Sequence, residues 1–487
     1  MVFRLSYLFI VVILFLSITT NLLSQSKANL LEQLERNNIK ATEIESNIYK
    51  IEYPWGKTAV YNYNELKPQP YTDASGNILD IDTTYIDLTT IDTSLYSNMF
   101  TLWKEVNFAG WPLYYGDENK NGQLEFYGIE GYQDSSKLVI YEIDSSKNFK
   151  LKHIYKDSIY YKYSNVATGL FDLKNIGQKN YFLVGLKNVG STGIMEGLSF
   201  KNDTITKLPT SLDFILNDSI SLLYATFGDF DKNGAVDLIS SMLSGVCIAE
   251  YDSTINNMRY IYSYQPGTGN LHGFATGDFD LDGRTEIVAS CINGYVSLIK
   301  NIGVHNYKYI WQTRVNTLNL YRQFITNDLD KNGKPEFWVA GFNLENGAWL
   351  VKLFAFESFN DTSYIPVKII ILKPIQSNFI WHTACFSRDI DNDGIEEIII
   401  ATNSSILMLK YNGSANENDY SVFYYNYFTF YVGWIQFLTI DNDDYKLFLA
   451  TKDRFGKFIT MIYKKNFNTS MYDDDRNNVK SLDINKL

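Results

Sequence analysis

The sequence predicts an all-β fold, a seven-bladed β-propeller built from four-stranded blades. Three observations carry that expectation. An acidic loop of fixed internal spacing recurs along the 487 residues, each copy runs into a short strand-like segment, and the copies begin 49 to 61 residues apart. A repeat of that length with several short strands in it marks a propeller blade. Composition agrees, because 37 Tyr and 31 Phe supply the aromatic side chains that suit a large β core.

The clearest loop is Gly277-Asp278-Phe279-Asp280-Leu281-Asp282-Gly283-Arg284-Thr285-Glu286, followed at once by Ile287-Val288-Ala289-Ser290. Asp278, Asp280, Asp282 and Glu286 occupy positions 1, 3, 5 and 9, with Gly283 at position 6. Alternate acidic residues let one curled backbone aim several oxygens at a single point, and the glycine accepts the positive φ that the curl needs. Hard oxygen ligands at this spacing suit Ca²⁺ and copy the first half of an EF-hand loop. No helix pattern flanks the loop, so it joins two strands.

Four further copies keep the spacing. They are Asp117, Asn119, Asn121, Gly122 and Glu125; Asp229, Asp231, Asn233, Gly234 and Asp237; Asp328, Asp330, Asn332, Gly333 and Glu336; and Asp389, Asp391, Asp393, Gly394 and Glu397. Asx-rich clusters are usually plain solvated turns, but five copies in register are not chance. Two weaker copies begin at Asp172, which has lost most ligands, and at Asp441, which lacks the glycine and is shorter. The loops at 278 and 389 carry four carboxylates each and are expected to bind most tightly, with about five Ca²⁺ sites in all.

The stretch Phe274-Ala275-Thr276-Gly277-Asp278-Phe279-Asp280-Leu281-Asp282-Gly283 resembles the FG-GAP/VCBS repeat of integrin-α-like propellers, in its secreted bacterial type. The resemblance spans roughly 98–465 and implies a Ca²⁺ loop between the first and second strands of each blade, on one rim.

Taken in order, residues 1–24 have the layout of a secretory signal peptide, with Arg4, an apolar run at 7–16 and small polar residues from Ser17. Export to the medium or cell surface is expected, with no integral membrane span after cleavage. Residues 25–95 form an introductory region: a short helix at 29–38, a hairpin pairing 47–53 with 58–63, and an extended linker at 78–94. The propeller covers 96–466. Its strand pattern is clearest in the fourth unit, with strands at 274–278, 286–291, 295–301 and 307–315. The last unit lacks a fourth strand, and 98–106 has no blade of its own, so the two are expected to pair and close the ring. The tail 467–487 is polar.

Three cysteines, Cys247, Cys291 and Cys385, permit one disulfide at most and read more simply as buried thiols. A net charge of −12 argues against nucleic acid or an anionic membrane as partner. No G-x-S-x-G elbow, H-E-x-x-H, P-loop or Cys/His zinc spacing is present. Almost all carboxylate pairs belong to the repeated loops, whereas a catalytic pair would be unique. Counting back about six residues from each loop finds Trp111, His272, Arg322, His382 and Trp434, beside Tyr321 and Trp381. Aromatic faces next to Arg and His suit stacking on sugar rings or anchoring a protein loop, though large aromatics are also common in blade packing. The expectation is a non-catalytic, monomeric extracellular propeller that binds a glycan or a protein. The alternatives are a secreted polysaccharide-active enzyme, such as a lyase with a site at the channel mouth, and a passive surface module.

Overall fold

The computed structural model describes residues 40–45, 48–52, 58–62 and 81–466, the last with breaks at 118, 131–136, 156–161, 172–179, 187–192, 202–203, 212–223, 243–244, 256, 265–270, 322–323, 346–347, 375–381, 403, 414–418, 442–443 and 453–456. The signal-like stretch 1–24, the segment 29–38, the weak loop from Asp172 and the tail 467–487 lie outside the described residues. Among the described residues, no helix is long and apolar enough to cross a membrane.

A small sheet comes first: β1 (Lys40–Glu45), β2 (Ile48–Glu52) and β3 (Thr58–Asn62) pair antiparallel in that order. Next come β4 (Asp82–Asp87), two short 3-10 turns and β5 (Phe100–Val106). Four sheets then follow in chain order, each made of four consecutive antiparallel strands. The first has β6 (Ala109–Gly116), β7 (Glu125–Glu130), β8 (Lys137–Ile143) and β9 (Phe149–Tyr155). The second has β10 (Lys162–Phe171), β11 (Asn180–Leu186), β12 (Gly193–Lys201) and β13 (Thr204–Ser211). The third has β14 (Tyr224–Gly228), β15 (Asp237–Met242), β16 (Gly245–Asp252) and β17 (Asn257–Tyr264). The fourth has β18 (Leu271–Gly277), β19 (Glu286–Cys291), β20 (Tyr295–Gly303) and β21 (Asn306–Arg314).

The next sheet departs from the pattern. Its strands are β22 (Phe337–Glu345), β23 (Ala348–Asn360) and β24 (Ser363–Lys373), and its outer edge is β4, which runs parallel to β24. On the inner edge, residues 318–321 and 324–325 lie beside β22 outside any regular strand. Tyr321 N–H donates to the Ala340 carbonyl (2.7 Å), Trp338 N–H to Ile325 (2.8 Å) and Phe342 N–H to Leu318 (2.9 Å). The segment 78–94, expected as a linker, therefore contributes a strand to this sheet. Lys368 holds it there, its ammonium 2.5 Å from Asp82 Oδ2 and 2.6 Å from Asp419 Oδ1.

Two regular antiparallel sheets complete the chain. One has β25 (His382–Arg388), β26 (Glu397–Thr402), β27 (Ser405–Tyr411) and β28 (Tyr420–Tyr427). The other has β29 (Val432–Asp441), β30 (Asp444–Lys452) and β31 (Phe458–Lys465), with β5 as its fourth strand, antiparallel to β31. Six sheets are thus wholly antiparallel four-stranded blades, and the fold is an all-β propeller. First strands lie side by side: β6 on β10, β10 on β14, β14 on β18, β25 on β29 and β29 back on β6.

The core sits between sheets, not at a single centre. Middle strands are covered on both faces, which is why they read as unbroken apolar runs instead of alternating; Ile398–Ala401 and Ile406–Leu409 are all nearly solvent-free. Outer strands have one wet face, and β24 alternates buried and part-exposed residues along its length. Between the last and first sheets, Leu438, Phe448 and Ile462 pack with Phe108, Phe126 and Val139. All three cysteines are buried and free.

Candidate metal centre

Each intact loop connects the first strand of a sheet to the second, or, in the irregular sheet, the inner segment to β22. Its shape is held by its own backbone amides. The glycine N–H at position 6 donates to the position-1 aspartate: Gly122 to Asp117, Gly234 to Asp229, Gly283 to Asp278, Gly333 to Asp328 and Gly394 to Asp389, at 2.8–3.0 Å. Position 7 donates to the side chain of position 5, as Ala235 does to Asn233 (2.7 Å) and Ile395 to Asp393 (2.9 Å). Position 2 donates to the buried acid at position 9: Phe230 to Asp237, Phe279 to Glu286, Leu329 to Glu336 and Ile390 to Glu397, at 2.8–2.9 Å. The glycines have φ from +83° to +89°, and the residues at position 4 (Lys120, Lys232, Leu281, Lys331 and Asn392) also take positive φ, so the curl is the same in all five.

In four loops this curl brings three carboxylate oxygens within 4.8 Å of one another: Asp229, Asp231 and Asp237; Asp278, Asp280 and Asp282; Asp328, Asp330 and Glu336; Asp389, Asp391 and Glu397. These groups can hold a metal ion. Burial is the main force pushing Asp237 up to about 7 and Glu336 up to about 8, and the neighbouring carboxylates Asp231 and Asp330 add to it. Asp237 Oδ1 is buried with no hydrogen-bond donor. A bound cation would satisfy that oxygen and offset the repulsion, so the donor set fits a hard divalent ion. At the weak copy, β29 ends at Asp441 and β30 starts at Asp444, and those two residues pair with each other.

A residue that the sequence reading missed completes each loop. It stands on the third strand, across from position 9: Glu142 opposite Glu125, Glu250 opposite Asp237 and Lys300 opposite Glu286. One step beyond the pairs Phe337↔Phe356 and Ile398↔Leu409, Glu357 faces Glu336 and Lys410 faces Glu397. Asn121 Nδ2 donates to Glu142 (2.6 Å), Asn332 Nδ2 to Glu357 (2.7 Å), and Asn233 Nδ2 to Glu250. Lys300 Nζ instead contacts Asp280, Asp282 (2.8 Å) and Glu286 (3.4 Å), while Lys410 Nζ contacts Asp391 (2.5 Å), Asp393 (2.5 Å) and Glu397 (3.5 Å). The loops at 278 and 389, with the most carboxylates of their own, are thus the two in which an ammonium contacts the carboxylates of positions 3, 5 and 9. In the other three, Lys152, Arg259 and Lys334 pair with the third-strand Glu142, Glu250 and Glu357. His305, on the turn between β20 and β21, reaches the neighbouring third sheet: its backbone N–H donates to Asp231 and its ring Nε2 lies 2.7 Å from Glu250.

Hairpin length explains why sequence spacing hid these partners. Glu250 follows Asp237 by 13 residues, whereas Glu357 follows Glu336 by 21. Counting back from each hairpin turn would have found them.

The aromatic and basic residues found by counting back from the loops are only partly visible. Tyr321 is 1% exposed and packs in the core with Leu329 and Trp338, so it presents no face to a ligand; the irregular inner segment turns it inward. Trp434, on β29, is half-buried. Trp111, His272 and His382 lie on the first strands β6, β18 and β25, but their side chains are outside the described residues, as are Arg322 and Trp381 entirely.

Fold and loops together define a β-propeller whose sheets carry repeated acidic curls. No family model and no curated protein matches this chain. Among solved structures, BBS1N in complex with ARL6DN is similar, at 10% identity and a TM-score of 0.45, over 76% of this chain and 97% of that one. A protein from Lactobacillus plantarum matches at 10% identity and a TM-score of 0.46, over 71% and 97%. The periplasmic gluconolactonase of Pseudomonas aeruginosa matches at 11% identity and a TM-score of 0.43, over 70% and 97%.

Proposed function

We propose that this chain is a calcium-stabilised propeller of the FG-GAP/VCBS type, with the irregular sheet as its seventh blade, acting outside the cell as a non-catalytic binding module for a glycan or a protein. The observation that carries this reading is the repetition of one loop geometry in five sheets. Identical curls at equivalent places serve a scaffold, whereas chemistry needs one unique constellation. Calcium is the ion that matches an all-oxygen set drawn from a flexible acidic loop, at affinities typical of extracellular modules, roughly 10⁻⁴ to 10⁻³ M.

The test is a glycan array probed with the folded chain in millimolar Ca²⁺ and again in EDTA. Selective binding that disappears in EDTA supports the reading. Polysaccharide cleavage with release of unsaturated products would instead favour a lyase. Silence in both buffers would move the role to a protein partner or a passive surface scaffold.

A further inference from the structure

The five intact loops divide into two kinds, and one pair of positions separates them. Where position 5 is Asn (Asn121, Asn233, Asn332), the residue across the sheet from position 9 is Glu (Glu142, Glu250, Glu357). Where position 5 is Asp (Asp282, Asp393), that residue is Lys (Lys300, Lys410). Hydrogen-bond polarity accounts for the pairing. An Asn amide offers N–H donors and needs an acceptor opposite, while an Asp carboxylate accepts only and needs a donor. The exchange keeps four carboxylates at each of the loops at 229, 278, 328 and 389, but only at 278 and 389 does it put the positive charge opposite position 9 itself. Lys152, Arg259 and Lys334 meet the Glu that stands there in the other three loops.

The position of that charge matters more than its presence. Lys300 Nζ lies among the oxygens of positions 3, 5 and 9, and Lys410 Nζ repeats the arrangement atom for atom. These are oxygens that a cation in the loop would draw on. Lys300 is 5% exposed, and a lysine this buried persists only when its charge is matched. From the loop at 229 onward the two kinds alternate, and each Asn loop is tied to the Asp loop that follows it. Lys232 in the loop at 229 donates to the Gly283 carbonyl of the next loop (2.5 Å), and Lys331 in the loop at 328 donates to the Gly394 carbonyl of the one after it.

We infer that in the loops at 278 and 389 a lysine ammonium takes the place of the divalent cation, so that only the loops at 117, 229 and 328 take an ion. This rests on the calcium reading for those three loops, but it assigns the lysine pair a role of its own. The chain would carry one ammonium-held blade, that of the loop at 278, between the metal-dependent blades of the loops at 229 and 328, and a second at the loop at 389. Its metal content would be set by the residue facing position 9.

Calcium stoichiometry of the full chain, measured by equilibrium dialysis in millimolar Ca²⁺, tests this. Wild type is expected to hold about three ions, and Lys300→Met with Lys410→Met two more. A double variant that gains no ion overturns the inference whatever wild type binds, as does a wild type that already holds five. Wild type without ions beside a variant that gains two would sink the calcium reading of the Asn loops and leave the lysine role standing. Should the double variant not fold, the reciprocal exchange Asn233→Asp with Glu250→Lys is expected to lose one ion. Retention of the full number there would equally overturn the inference.

Discussion

Phe126 in β7 stacks on Phe448 in β30, with ring centroids 5.8 Å apart and planes inclined by 16°. The first sheet and the last share this contact, so it closes the ring through side chains. Phe126 is completely buried, and its replacement by Ala removes a ring that the rigid β framework cannot refill. Phe126→Ala is expected to cost ~3–5 kcal/mol, read as a fall in the urea midpoint at unchanged slope. A loss below ~1 kcal/mol would mean that the two sheets do not depend on each other for stability.

Two glycines separate backbone strain from collision. At Gly333, φ is +89° and a Cβ would meet nothing within 4 Å, so Gly333→Ala should cost only the left-handed penalty of ~1–2 kcal/mol. At Gly128, a Cβ would lie 2.5 Å from Phe108 Cδ2 and 2.8 Å from the Ala109 carbonyl oxygen, which forces the backbone of the preceding strand to shift. Gly128→Ala should therefore lower the melting temperature clearly more. Equal losses in parallel melts would contradict this account of both positions.

Acidity of the buried position-9 groups gives the metal-free protein an unusual pH response. Burial first, then the nearby carboxylates, raises Asp237 to about 7 and Glu336 to about 8 in the fold, from ordinary values of 3.8 and 4.5. The folded chain then holds protons that the unfolded chain has already released. The contribution of these two groups to stability in EDTA should accordingly be fully present below the ordinary values and be lost as pH rises through about 8. Calcium needs the ionised form, so its affinity for the loop at 328 should increase roughly tenfold per pH unit up to that point and then level off. Calorimetric titration between pH 6 and 9, with proton release followed in parallel, checks both halves. A flat affinity over that interval would show that these acids are not ligands.

Lys368 is 6% exposed and anchors β4 through Asp82 and Asp419, while Thr84 donates to the same Asp419 carboxylate at 3.1 Å. Lys368→Met leaves Asp419 buried without its counter-charge, at an expected cost of ~3–5 kcal/mol. Hydrogen exchange should rise first in residues 82–87. Unchanged protection there would mean that backbone pairing alone retains the strand.

What the sequence revealed was whatever is encoded locally. Loop ligands, the position-6 glycine and the strand that follows lie within about a dozen residues, and that spacing is read directly. Glu250 and Lys300 escaped notice because a cross-strand neighbour is fixed by hairpin length, which varies from sheet to sheet. β4 escaped for a different reason. Its Thr- and Asp-rich composition resembles a linker, and its partner β24 is parallel and 286 residues away. Tyr321 was misplaced because the sheet it belongs to has an irregular inner edge, where the count back from the loop no longer points toward solvent.

The pairing of β5 with β31 also has a consequence for assembly in time. Thr460 Oγ1 donates to the Phe108 carbonyl across 352 residues of chain, and among the described residues β31 is the strand with which β5 pairs. Nearly the whole polypeptide must be available before its first ring strand finds a place, and loop closure over that length makes the step slow. Until then β5 is an open edge, able to pair with another chain. A circular permutant that starts after Val106 and carries β5 behind β31 would convert this last, long-range event into a local hairpin, with the same contacts reached by a shorter route.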